Sequence, residues 1–260
     1  MKKFVAFVGT LVLLYLGTLT DGVTGDIFPE TRIAEGEDSA FDEFPYVVSI
    51  QYQTEEKGYI HRCAGAMINS SYVVTVAHCF QSVDTSKYRV VNDNDTHTEN
   101  ETKISNVSTI VIHPDYDSAN FWNNDIAILQ LLNGFEDYNQ VLLPENYSDP
   151  DPELKGTTLG WGSGEMNGQP VQMLQRLDDL NIFDSTACED LYIFGPNENS
   201  ICAGNEDGST NIGVCSGDSG NPLIINGTLY GLLSWLRIPC FQLPGVYTKV
   251  SNYVEWIHGN

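Results

Sequence analysis

Short runs rich in β-branched and aromatic residues recur along most of the chain, nearly all bounded by Gly, Pro, Asn or Asp. They are Tyr46–Tyr52, Tyr72–Val76, Ile110–Ile112, Ile126–Leu132, Thr157–Trp161, Leu223–Ile225 and Leu229–Trp235. That pattern predicts an all-β sandwich or barrel. Between the last two runs stands Asn226-Gly227, a dipeptide favoured in two-residue hairpins because both positions need a positive φ. One helix is predicted, at the C-terminus, where Val250, Val254 and Ile257 fall near helical spacing and Ser251 is placed to cap it. The polar stretch from Asn133 to Gly156, with Pro144, Pro150 and Pro152, reads as a connector between two halves. With 260 residues, 42% of them hydrophobic, the chain suffices for one large β domain or two small ones.

The N-terminus and the cysteines place the chain in an oxidising compartment. Lys2 and Lys3 precede an apolar run from Phe4 to Leu19, too short for a membrane span and suited to a secretory signal peptide over residues 1–20. Its cleavage is expected between Gly17 and Gly25. Six cysteines follow, Cys63, Cys79, Cys188, Cys202, Cys215 and Cys240. An even count in a secreted chain predicts three disulfides, with fifteen possible pairings. A metal site is disfavoured, since no pair has C-x-x-C spacing and no histidine pair is suitably placed. Six Asn-x-Ser/Thr sequons occur, at Asn69, Asn94, Asn100, Asn106, Asn146 and Asn226; the group from Asn94 to Asn106 is expected in an exposed loop. The acidic stretch Asp93–Glu101 is read as a solvated segment. With 35 acidic and 12 basic residues the net charge is -23, which repels phosphate backbones and argues against a nucleic-acid partner.

Three segments carry the reactive side chains. Thr75-Val76-Ala77-His78-Cys79 follows an apolar strand, and Asn124-Asp125-Ile126-Ala127-Ile128-Leu129 opens another. Gly217-Asp218-Ser219-Gly220 lies in a glycine-punctuated loop after Cys215. Singly, such a His is a structural residue, such an Asp a strand cap and G-D-S-G a turn. In the chain order His, Asp, Ser they supply the parts of a nucleophilic hydrolase.

With these motifs, and with G-W-G at Gly160-Trp161-Gly162, Ser234-Trp235 and P-G-V-Y-T-K-V from Pro244, the chain resembles the trypsin-fold (chymotrypsin family) serine proteases from about Arg32 to its end. Invertebrate chymotrypsin-like and elastase-like members are the nearest in kind. The resemblance implies an all-β fold of two packed six-stranded antiparallel β-barrels, roughly 33–140 and 150–250, with a C-terminal α-helix. It implies a site in the cleft between them, with His78 as base, Asp125 orienting it, Ser219 as nucleophile, and the N–H groups of Gly217 and Ser219 as oxyanion hole. Arg32-Ile33-Ala34-Glu35-Gly36 is similar to the family's activation junction. Residues 21–32 would then be a propeptide, 33–260 the protease domain, and a freed Ile33 amine would pair with Asp218 in place of a buried unpaired carboxylate. The activating enzyme would be trypsin-like, because it cuts after Arg. The disulfides implied are Cys63–Cys79, Cys188–Cys202 and Cys215–Cys240. Two departures from the family pattern, Asn221 after Gly220 and Ala34-Glu35 after the new terminus, bear on the activation pocket.

Specificity is expected from Gly213, Ser234, Trp235, Leu236 and Gly245. Trypsins carry an Asp where this chain has Gly213, so a buried substrate cation would lack a partner and cleavage after apolar residues is expected. Leu236 stands where the family often has Gly and would narrow the pocket toward medium aliphatic residues, unless an apparent one-residue insertion before Cys240 moves it out. The anionic surface is expected to favour basic residues flanking the cut. A secreted monomer without cofactor or metal, acting on proteins or peptides away from membranes, is the resulting expectation, and a digestive lumen suits it. The alternatives are a catalytically silent protease-like binding or inhibitory protein, and a secreted lectin or structural β protein. Substitution of a triad residue would mark the first; the second leaves the ordered motifs unexplained.

Overall fold

The computed structural model describes residues 36–40, 42–80, 82–163, 168–205, 213–240 and 242–260. The expected signal peptide, the expected propeptide and the Arg32–Ile33 junction lie outside the described residues.

The strands are β1 Glu37–Asp38, β2 Val47–Thr54, β3 Gly58–Asn69, β4 Tyr72–Thr75, β5 Tyr88–Val91, β6 Ile104–Ile112, β7 Ala127–Leu131, β8 Gly156–Gly160, β9 Gln175–Phe183, β10 Ser200–Gly204, β11 Pro222–Ile225, β12 Thr228–Trp235 and β13 Gly245–Lys249. Two short helices accompany them, α1 Ser185–Leu191 and α2 Val254–His258. The first barrel closes in the order β2-β3-β4-β7-β6-β5. The second runs β9-β10-β13-β12-β11-β8 and closes through pairing of β8 with β9. All these pairings are antiparallel, so two closed six-stranded barrels form and their strands present no long free edge. β1 crosses to the second barrel and pairs with β9, although it precedes every strand of the first.

Strands β10, β11 and β13 are buried along their whole lengths, on both faces, so the cores do not follow strict alternation. Ile50, Ala64, Ala66, Val74, Ile128 and Leu129 are buried in the first barrel, while Ile201, Leu223, Ile225, Leu233 and Tyr247 fill the second. The Asn226-Gly227 hairpin forms as predicted, with φ of 49° and 76° and Ile225 facing Thr228. The connector holds no regular strand and stitches the halves: Phe135 N–H donates to Ser70, Val141 N–H to Met67, and Leu142 accepts from Leu229 N–H.

Four expectations need correction. Asn106 lies within β6 rather than in a loop; Ser105 and Val107 turn inward and the exposed Asn106 between them breaks the apolar run that sequence reading looks for. The stretch from Asp93 to Glu101 is not merely solvated, because the Asn94 carbonyl accepts from Trp161 Nε1–H and Leu174 N–H, and Gln51 Nε2–H donates to buried Thr96. Ser251 caps nothing: a 3-10 turn over Val250–Tyr253 precedes α2, and the Ser251 hydroxyl is buried inside it without a partner. The C-terminal helix is also not alone. α1, capped by Asp184 accepting from Ala187 N–H, is too short for a periodic apolar pattern to betray it.

Candidate active site

The β4–β7 pairing does the first piece of assembly. Thr75 faces Ala127, so the residues just beyond, His78 in a 3-10 turn over Ala77–Cys79 and Asp125 just before β7, emerge side by side. Asp125 Oδ1 accepts from His78 N–H at 2.9 Å and Oδ2 lies 2.7 Å from His78 Nδ1. The second barrel reaches across to the same carboxylate: Ser234 Oγ–H donates to Oδ2 at 2.6 Å, and Thr248 Oγ1–H to the Asp125 carbonyl at 2.8 Å. Asp125 is fully buried. A buried charge held by several donors orients its partner firmly.

Ser219 arrives from a tight loop gripped by both barrels. Its carbonyl accepts from Ala64 N–H of β3, and Gly220 N–H donates to Leu233 of β12. Gly220 has φ +79°, and a Cβ there would stand 2.2 Å from the Ala64 carbonyl, so no larger residue fits between barrel and loop. The result is Ser219 Oγ 2.8 Å from His78 Nε2. A continuous hydrogen-bonded chain therefore runs from Asp125 through His78 to Ser219. Among the described residues, the N–H groups of Gly217 and Ser219 make no backbone hydrogen bond.

The three disulfides join Cys63 to Cys79, Cys188 to Cys202 and Cys215 to Cys240. The first braces the turn that holds His78. Cys63, His78 and Cys79 lie close enough to suggest metal donors, but both sulfurs are locked in that disulfide and offer no thiolate.

The chain matches the family described as Trypsin over residues 33–257. It is 33% identical to cationic trypsin-3 of Rattus norvegicus, over 98% of this chain and 95% of that protein. The chain belongs to the trypsin family of serine proteases. Vitellin-degrading protease of Bombyx mori is 35% identical, over 91% of this chain and 86% of that protein. Trypsin II-P29 of Gallus gallus is 34% identical, over 80% and 83% respectively.

In this trypsin-family protease the expected pocket residues divide between two cavities. One of about 200 Å3 opens beside Ser219 and is lined by Ser234, Trp235, Leu236 and the Cys215–Cys240 bridge. A second, of about 20 Å3, is lined by Gly213, Val214, Gly245 and Tyr247. Among the described residues, Leu236 is the one that lines both. It packs against the second barrel's apolar cluster.

Asp218 is fully buried, and burial pushes its carboxyl up to about 7, against hydrogen bonds from Cys215 N–H, Asn221 Nδ2–H and Gly162 N–H that favour the ionised form. Ile33, its expected partner, lies outside the described residues.

One residue escaped sequence reading. His61, on β3, is buried between the two barrels, and its Nε2–H donates to the Gly217 carbonyl at 3.3 Å. Its Nδ1 is thereby left to accept from Ser49 Oγ–H at 2.8 Å. Nothing in the local sequence distinguishes this His from a surface one. Burial pushes its imidazole down to about 4, the Gly217 bond opposing. The unfolded chain therefore takes up the proton first as pH falls. Stability contributed by neutral His61 is fully present above about pH 6.5 and is lost progressively toward about pH 4. Between those limits the parent should lose about 3 kcal/mol more than a His61→Gln variant in urea unfolding. Parallel stability curves for the two proteins would refute this.

Proposed function

We propose that this trypsin-family protease is a secreted endopeptidase, made as a zymogen and switched on by a cut after Arg32, that hydrolyses peptide bonds after apolar residues. Ser219 Oγ attacks the scissile carbonyl carbon while His78 Nε2 takes its proton. The resulting oxyanion is held by the Gly217 and Ser219 N–H groups, and Asp125 keeps the imidazole in the tautomer this transfer needs. On collapse the C–N bond breaks, His78 protonates the leaving amine, and an acyl-Ser219 ester remains. Water, deprotonated by His78, then releases the acid and restores Ser219.

The 2.7 and 2.8 Å contacts along Asp125, His78 and Ser219 carry the hydrolytic reading against that of a silent binding protein, which needs no such alignment. Leu236 carries the specificity. Leu236 lines both the cavity beside Ser219 and the one that holds Gly213, and among the described residues no charged side chain lines the cavity beside Ser219. Medium apolar side chains fit such a space, whereas Lys or Arg would lose hydration without a counter-charge. Secretion is supported by the apolar leader and the three disulfides, and glycosylation by the exposed sequon residues Asn100, Asn106, Asn146 and Asn226. No helix among the described residues is long and apolar enough to cross a membrane. We expect it to act as a monomer on protein or peptide substrates.

A library varied at the residue preceding the cut tests the specificity. Val, Leu or Ala should be cleaved at least about tenfold faster than Lys or Arg, as expected for an unpaired buried cation. Faster cleavage after Lys or Arg would overturn the reading.

A further inference from the structure

The residue after Gly220 departs from the family's usual glycine, and its side chain lies fully buried beside Asp218. Asn221 Nδ2–H donates to Asp218 Oδ1 at 2.8 Å, while Asn221 Oδ1 is buried without any partner. The amide orientation follows from chemistry, since the reverse would set two oxygen acceptors against each other. Half of this amide is thus satisfied and half is not, an arrangement that costs stability and that glycine would avoid.

Room for it comes from the G-W-G motif. A Cβ at Gly160 would stand 1.9 Å from Asn221 Oδ1, and one at Gly162 would stand 2.1 Å from Asp218 Oδ1. The backbone of Asn221 is anchored as well: its carbonyl accepts from Leu233 N–H of β12, and its N–H donates to the Asp218 carbonyl. A side chain whose backbone is pinned to β12 therefore grips the carboxylate that precedes the nucleophile. Asp218 in turn accepts from Cys215 N–H at 2.7 Å and so closes the loop Cys215–Asp218 that contains Gly217.

We propose that Asn221 is a positioning residue of the activation switch: it holds Asp218, and with it the Gly217–Ser219 loop, in working geometry before any new N-terminus exists. This rests on the reading of the chain as a zymogen. On that reading a freed Ile33 amine would order the loop through Asp218. Asn221 supplies part of the same restraint from inside the fold, so the uncut precursor retains measurable activity. The cut enzyme, which has both restraints, depends on Asn221 less.

The test compares uncut and cut protein. An Arg32→Gln precursor, which cannot be activated by trypsin, should label at Ser219 with a fluorophosphonate probe at a readily measured rate. Adding Asn221→Gly should slow that labelling about tenfold or more, the worth of one hydrogen bond to a charged group. The same substitution in the trypsin-cut enzyme should lower the rate by a clearly smaller factor. Gly160→Ala, which displaces the amide without touching Asp218, should reproduce the precursor-selective loss. Thermal unfolding midpoints measured alongside separate this from a general loss of folded protein, which would reduce both forms together. Equal losses in precursor and cut enzyme, no loss in either, or an Arg32→Gln precursor that does not label at all would overturn the proposal. Equal labelling of parent protein before and after the cut would instead refute the zymogen reading; a loss on Asn221→Gly in the uncut chain would still support the tether.

Discussion

Replacing Ser219 with Ala should reduce kcat/KM on any cleavable peptide by about a millionfold and abolish fluorophosphonate labelling, while leaving the fold intact. The hydroxyl is the only atom removed, and it lies at the end of the chain from Asp125 through His78. Loss of the nucleophile from such a triad costs about six powers of ten, and what survives comes from the oxyanion donors and substrate binding. Asp125→Asn should cost about ten-thousandfold. The reason is tautomeric. Asp125 now accepts from His78 N–H, from Nδ1 and from Ser234 Oγ–H. An asparagine amide turned toward Nδ1 would donate there, leaving the proton on Nε2, where it blocks transfer from Ser219. Peptide hydrolysis assayed on both variants, with circular dichroism to verify folding, checks the pair. Retention of more than about a hundredth of parental activity by Ser219→Ala would contradict the assignment of nucleophile.

Leu236→Gly should change which bonds are cut rather than whether they are cut. Among the described residues, Leu236 alone lines both the cavity beside Ser219 and the one at Gly213. Removing its side chain should merge the two into one long pocket. Each methylene's worth of fit in an apolar pocket amounts to about 1–3 kcal/mol, so the ratio of kcat/KM for Phe or Tyr over Val should rise by about a hundredfold. Val substrates should become poorer, because they no longer fill the space. Ser219 labelling should stay near the parental rate, since Leu236 donates nothing to the triad. An unchanged ratio would show that Leu236 does not bound the substrate side chain.

How much was readable in advance varies sharply from residue to residue. His78, Asp125 and Ser219 were legible because each sits in a short motif whose letters its own turn or strand demands. Three disulfides were legible from an even cysteine count, whereas their pairing came only from resemblance. α1 was not, being seven residues long with no periodic face. β6 was legible only in its last third, because exposed polar residues interrupt its alternation. His61 and Asn221 were opaque in role. Both act through partners distant in sequence or turned inward, Gly217 for one and Asp218 for the other.

The amino-acid sequence by itself marked β2, β4, β7, β8, β11, β12 and the end of β6, but not β1, β3, β5, β9, β10 or β13, and it showed which side chains capable of acyl transfer the chain contains. Those properties depend on neighbours a few residues apart, through backbone preference and period-two burial. The tertiary structure decided the rest: that Ser219 meets a histidine 141 residues away, that Leu236 lines two neighbouring cavities, and that an asparagine grips Asp218. Each of these is a distance set by barrel closure and packing. No local preference encodes a distance across that many residues.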